Sequence, residues 1–137
     1  MIRHFKKGDL EKIKLQKEQT YEDKENWGLF EDFDTIVFED KERVLAIVRP
    51  FFEKGGRLWL SALIGADCKD KAIPMFKAMK KLIDEWLWFG DVQRVEMVTQ
   101  KDFKQANRLA LLLGFQKEGV LRKYYNGIDF NIWGRIK

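Results

Sequence analysis

Glu96 is the residue of this chain whose surroundings best suit proton chemistry. It stands in Val95-Glu-Met-Val98, a carboxylate inside an otherwise apolar run. Burial would disfavour its charged form and raise its pKa toward values useful to a general base. The competing reading is a strand glutamate that faces solvent or pairs with a neighbouring Arg or Lys. Cys68 is the single cysteine. A thiol nucleophile needs a partner base, and no histidine lies near it in sequence. His4, the one histidine, reads as structural. Tyr124 and Tyr125 precede Asn126-Gly127. Either could reach a site, although core packing or hairpin pairing accounts for both.

Charge narrows the ligand classes. The chain carries +4 overall, but unevenly. Residues 1–54 hold 11 basic and 13 acidic side chains, and residues 55–137 hold 15 and 9. A basic C-terminal half favours a phosphate-rich ligand and an acidic N-terminal half an amine-bearing one. An ordinary solvated surface would show the same counts. The pI of about 9.1 permits nucleic-acid binding. No run of five or six Lys/Arg supports it, so nucleic acid is disfavoured as a partner. No apolar stretch approaches the roughly 20 residues of a membrane helix. The start, Met-Ile-Arg-His-Phe-Lys-Lys, lacks the apolar core of a signal peptide. A lone cysteine forms no internal disulfide, so a reducing cytoplasm is expected.

These groups need elements to hold them. At 137 residues and 45% hydrophobic content the chain suits one domain with one core. Ile2-Arg-His-Phe can start a strand, and Asp9 can cap a short helix carrying Leu10 and Ile13 inward. Residues 22–34, with Trp27, Phe30 and Phe33, read as a loop or short helix. Thr35–Glu39, Arg43–Phe52 and Arg57–Ile64 read as an antiparallel meander with turns at Asp40-Lys41 and Gly55-Gly56. Helical spacing follows over 71–89. Ile73, Phe76, Met79, Ile83 and Trp86 form its apolar stripe, widened by Met75, Leu82 and Phe89. Asp70 is its expected N-cap, with Pro74 in the first turn. Val92–Thr99 is a strand. Asp102-x-x-Gln105 suggests a capping box for a helix whose face is Phe103, Ala106, Leu109, Ala110 and Leu113, closed by Gly114. Phe115–Tyr125 and Phe130–Ile136 flank the hairpin dipeptide Asn126-Gly127. The expected order is β-α-β-β-β-α-β-α-β-β, an α/β (α+β mixed-sheet) single domain over residues 1–137. A crossover helix joins parallel strands within it.

This order, together with Ala106-Asn-Arg-Leu, Leu113-Gly-Phe115 and Glu118-Gly-Val-Leu-Arg122, resembles the GCN5-related N-acetyltransferases (GNAT superfamily). The middle resembles a narrower set, small phage- and prophage-encoded GNAT-like proteins. It carries Arg43-Val-Leu-Ala, then Leu58-Trp-Leu-Ser-Ala, a long helix, and the turn Asn126-Gly-Ile-Asp129. The resemblance implies acetyl-CoA as co-substrate, lying in the V between strands 58–64 and 92–99, and no metal. Its pyrophosphate would rest on backbone N–H groups at the start of the long helix, where orphan donors and the helix dipole hold an anion. The corresponding loop, Gly65–Ala72, departs from the family's glycine-rich pattern. Lys69 and Lys71 could replace lost amide contacts, while Asp67 and Asp70 oppose an anion. The implied cofactor-binding residues are Ala62, Leu63, Ile64, Lys69, Lys71, Ala72, Thr99, Phe103 and Asn107.

The resemblance implies direct acetyl transfer to an unknown amine, a small molecule or a protein. That chemistry asks for a base, polarising N–H groups and an acid for the departing thiolate. Glu96 and Ser61 are the catalytic candidates, Ser61 because it lies where the thioester would. The family often has a Tyr four residues before the Gly of Leu-Gly-Phe, and an Asn eleven before it. Ala110 and Phe103 stand there instead. Some ribosomal-protein acetyltransferases of the superfamily also lack that Tyr. The alternative is a GNAT-like phage virion or accessory protein, with virion proteins as partners, that keeps the fold without the chemistry. Acceptor specificity is expected in residues 8–34 and the last hairpin.

Overall fold

A computed structural model of the chain describes residues 1–17, 34–66 and 68–137. Residues 22–33 of the loop or short helix expected at 22–34, and Asp67, lie outside these residues. The elements in chain order are β1 (Ile2–His4), α1 (Asp9–Lys12), β2 (Ile36–Asp40), β3 (Arg43–Glu53) and β4 (Arg57–Ile64). After a 3-10 turn (Lys69–Lys71) come α2 (Ala72–Phe89), β5 (Arg94–Gln100), α3 (Lys104–Leu112), β6 (Gln116–Tyr125) and β7 (Ile128–Ile136). The strands form a seven-stranded mixed sheet in the order β1-β2-β3-β4-β5-β7-β6. Among the described residues the order of elements is the expected one. The chain divides into two compact units, residues 1–50 with 61–78, and residues 51–60 with 79–137.

In the first unit β1, β2 and β3 pair antiparallel. Val44 to Val48 are all buried, the pattern of a strand covered on both faces. Pro50 follows the β2–β3 ladder, which ends at Ile36↔Val48, so its missing N–H removes no bond of that ladder. Leu10, Ile13, Val37, Val44, Ile47 and Leu63 form one buried apolar cluster in the core of this unit. Two expectations change here. Gly8, at φ 97°, is the N-cap of α1 rather than Asp9. Asp9 is fully buried and holds Arg3 at 2.7 and 2.8 Å and the Lys6 amide at 2.7 Å. Burial pushes the Asp9 carboxyl up, but the bonds from Arg3 and Lys6 outweigh it and hold it below the ordinary range. The β2–β3 turn is centred on Lys41-Glu42, both at positive φ (47° and 66°), one residue beyond Asp40-Lys41.

In the second unit β4 pairs parallel with β5 over Arg57↔Arg94, Leu58↔Val95 and Trp59↔Glu96. β7 pairs antiparallel with β5 along its whole length and with β6 on its other side. Asn126 and Gly127, at φ 50° and 72°, close the β6–β7 hairpin in two residues, as that dipeptide predicts. α3 ends as expected on Gly114 (φ 89°). The Phe115 and Gly114 amides donate to the Ala110 and Leu111 carbonyls, a Schellman closure. The capping box does not form: Phe103 is the N-cap and no side chain caps the helix.

The apolar face of α2 also differs from expectation. Met75, Met79, Ile83 and Leu87 are buried, while Ile73 and Phe89 stand in water. Lys77, Lys80, Lys81, Asp84 and Glu85 mark its polar side, but apolar residues span the whole of the other half of the circumference, so spacing alone does not single out the innermost row.

Candidate functional site

The residues singled out in the sequence fall in three places. The first is the loop before α2. Ser61, Ala62 and Ile64 are half-buried on β4, and Leu63 is wholly buried in the core of its unit. Lys69 and Ala72 are exposed and Lys71 is half-buried. Several amides expected to meet an anion donate within the protein instead. Gly65 N–H donates to the Leu45 carbonyl at 2.7 Å, Ala66 N–H to Lys14 at 2.6 Å and Lys71 N–H to Cys68 at 3.0 Å. The Ala72 N–H donates to Lys69. The 3-10 turn thus uses donors that a plain helix start would leave orphaned. Asp70 lies inside this turn and pairs with Arg43 at 2.9 Å rather than capping α2. That guanidinium pulls the Asp70 carboxyl below its ordinary range and offsets part of the charge opposing an anion. Cys68 is buried, its thiol donating to the Gly65 carbonyl at 3.0 Å.

The second place is a polar network in the second unit. The Thr99 hydroxyl donates to Asn107 Oδ1 at 2.5 Å and accepts the Trp133 indole N–H at 2.8 Å. Asn107 Nδ2 donates to the Lys101 carbonyl at 2.8 Å, and Asn131 Nδ2 donates to Asn107 Oδ1 at 3.1 Å. The fold brings Thr99 and Asn107 together, but it turns their polar atoms toward the protein. Asn131 and Trp133 were missed in the sequence reading. The available signal was a lone amide in the apolar run Phe130-Asn-Ile-Trp133. Phe103 is buried at the start of α3, and Ala110 is buried with no polar atom to offer.

The third place surrounds Glu96, which is buried and also paired with arginines, the arrangement that the competing reading of its strand allowed. Its Oε1 takes Arg57 at 3.3 Å and its Oε2 takes Arg94 at 3.1 Å. Arg94 continues to Glu118 through a two-pronged bridge, one arm at 2.8 Å. Glu118 lies in the bulge of β6 between Lys117 and Gly119. The bridge passes over Gly134 of β7. A Cβ there would lie 2.6 Å from both Arg94 Nη1 and Glu118 Oε2. Arg94 holds the Glu118 carboxyl below its ordinary range. Tyr124 is half exposed and lies against Phe130, ring centroids 5.2 Å apart, and Tyr125 pairs with Ile128. Both are hairpin residues. Among the described residues no group of carboxylates, histidine or cysteine is arranged to hold a metal.

An antiparallel meander, a parallel β4–β5 pair joined through a long helix, and a closing hairpin that inserts its second strand define the fold of GNAT-family acetyltransferases. Solved structures of that class superpose on the chain. The microcin C7 self-immunity acetyltransferase MccE, solved with acetyl-CoA and AMP, is 28% identical with a TM-score of 0.65, over 75% of this chain and 60% of that one. Ard1 from Thermoplasma volcanium has a TM-score of 0.79 at 16% identity, covering 99% and 96% of the two chains. A GNAT-family acetyltransferase from Bacillus anthracis has 0.77 at 12%, covering 98% and 93%. The chain thus spans about three fifths of the length of the MccE structure. No family model matches the sequence, and no curated protein is significantly similar to it.

Proposed function

We propose that the chain is an acetyl-CoA-dependent N-acetyltransferase acting on an amine by direct transfer. The observation that carries this reading is the likeness to MccE, whose structure holds acetyl-CoA. The amine nitrogen attacks the thioester carbonyl carbon, the C–S bond breaks, and the proton lost by nitrogen ends on the departing sulfur, directly or through water. The amides of Gly65, Ala66, Lys71 and Ala72 already donate within the protein. Recognition of the phosphates therefore falls on the Lys69 and Lys71 side chains, acting as point charges. Such binding weakens as salt rises. Both Glu96 oxygens engage guanidiniums, which supports a positioning role. Ser61 is retained as the residue that holds a water near the thioester.

A second reading, a protein that keeps the fold without turnover, is favoured by Ala110, which offers no acid to the leaving thiolate. One titration series separates the two. Acetyl-CoA at about 100 times its Kd stabilises the native state by about 2.7 kcal/mol, so the melting temperature rises. CoA release with an amine panel then reports turnover. Stabilisation without CoA release supports the second reading, and no stabilisation at millimolar acetyl-CoA refutes the first. Lys69→Gln with Lys71→Gln is expected to weaken acetyl-CoA binding about tenfold or more and to flatten its salt dependence. Ser61→Ala is expected to lower kcat with KM little changed.

A further inference from the structure

The second unit also carries an open groove of about 710 Å³. It lies where the Gly55-Gly56 turn meets the connection from α2 to β5. Its walls combine the rings of Phe52, Trp86 and Phe89 with the carboxylates of Glu53, Glu85 and Asp91. The cation on its lining, Arg57, is engaged with Glu96 at 3.3 Å. At the edge the Lys137 ammonium donates to the Gly90 carbonyl at 3.5 Å, so three carboxylates face two engaged cations and the groove stays negative on a chain whose net charge is +4. Its rings are unusually wet for their size. Phe89 is 88% exposed and Phe52 54%. The groove is also preformed. Phe52 and Trp86 meet edge to face with centroids 6.3 Å apart, and the Gly56 carbonyl accepts the Gln93 and Arg94 amides. A Cβ on Gly56 would come within 2.9 Å of the Asp91 carbonyl, which fixes glycine in the turn.

Exposed aromatics beside carboxylates recognise cations that carry an apolar stem. The ring face attracts the charge, the carboxylate pairs with it, and the methylenes cover the ring. A single small amine would leave most of Phe89 and Phe52 in water. A peptide segment covers them, and exposed aromatic clusters of this kind mark protein contacts. We propose that this groove docks a lysine- or arginine-rich segment of a partner protein, with basic side chains over the rings and apolar ones against Phe89. The proposal does not depend on acetyl transfer.

The test uses the full chain and three probes: a decapeptide alternating lysine and leucine, its glutamate–leucine counterpart, and spermine. Binding is followed by fluorescence anisotropy of labelled peptide and by amide shifts of Gly55, Gly56 and Gly90. The lysine peptide is expected to bind, to move those three amides and to weaken as salt rises. Phe89→Ala, and separately Glu85→Gln with Asp91→Asn, should each reduce its affinity about tenfold, equivalent to about 1.4 kcal/mol. These side chains are exposed, so the melting temperature should stay unchanged. The proposal is overturned by absence of binding, by equal binding of the glutamate peptide, or by affinity indifferent to both variants. It is also overturned if spermine moves the same amides with equal affinity, since a free polyamine would then be the occupant.

Discussion

Gly134 shows how much one absent side chain can organise. It sits on β7 opposite Glu96 on one side and Gln116 on the other, and the Arg94–Glu118 bridge crosses over it. Gly134→Ala would push into the tips of both side chains. Those tips are flexible, so the expected loss is about 1 kcal/mol, the low end of overpacking, read as a lower urea midpoint. The pH dependence tests the same bridge. Glu118 titrates below its ordinary range when folded, so it adds stability above the unfolded pKa of about 4.3, and that stability is lost as pH falls through the lower folded value. In Gly134→Ala this acid-limb contribution should disappear. Thr99 offers a second single-atom test. Thr99→Val leaves the buried Trp133 N–H without its 2.8 Å acceptor and should cost about 1–3 kcal/mol, with a shift in Trp133 fluorescence.

Turns and caps separate what the elements declare in sequence from what they conceal. Asn126-Gly127 and Gly114 adopt the positive φ that their residue types foretell. Lys41-Glu42 adopts it without any such signal, because the strands it joins are fixed by β2–β3 pairing and the turn must follow. Lys41→Asn with Glu42→Gly should therefore stabilise the chain by about 1 kcal/mol or more, measured by denaturant unfolding. The order of elements was legible throughout, since helical and strand periods alternate cleanly. N-capping roles were not. Asp9 and Asp70 carry cap-like spacing, but tertiary arginines, Arg3 and Arg43, claim both carboxylates. The site was legible in part. Pairing of Glu96 with a neighbouring arginine was one of the readings its strand left open, and Arg94 lies two residues upstream, whereas Arg57 comes from β4. Asn131 joins Asn107 across 24 residues of sequence, which no local pattern reveals.

Across the whole molecule, several carboxylates share one electrostatic habit. Asp9, Asp84 and Glu118 are each held below their ordinary range by arginine. For Asp84, burial pushes up, and the bonds from Arg135 and Lys80 prevail. Depressed carboxylates contribute stability that persists above the unfolded pKa of about 4 and disappears only under stronger acid. The chain should keep a flat stability from about pH 7 to about pH 5 and then lose it steeply, as followed by circular dichroism. Asp84→Asn should soften that acid limb.

The inserted position of β7 has a further consequence, for synthesis. β6 is translated first yet forms the edge of the sheet, while β7 follows and lies inside it. Until residues 128–136 clear the ribosome, β5 has a bare side and β6 has no strand to join. That bare side is a pairing hazard for other chains. The two-residue turn at Asn126-Gly127 limits the exposure. It lets β6 and β7 close on each other within microseconds and reach β5 as one finished hairpin, so the sheet gains its last two strands in a single step.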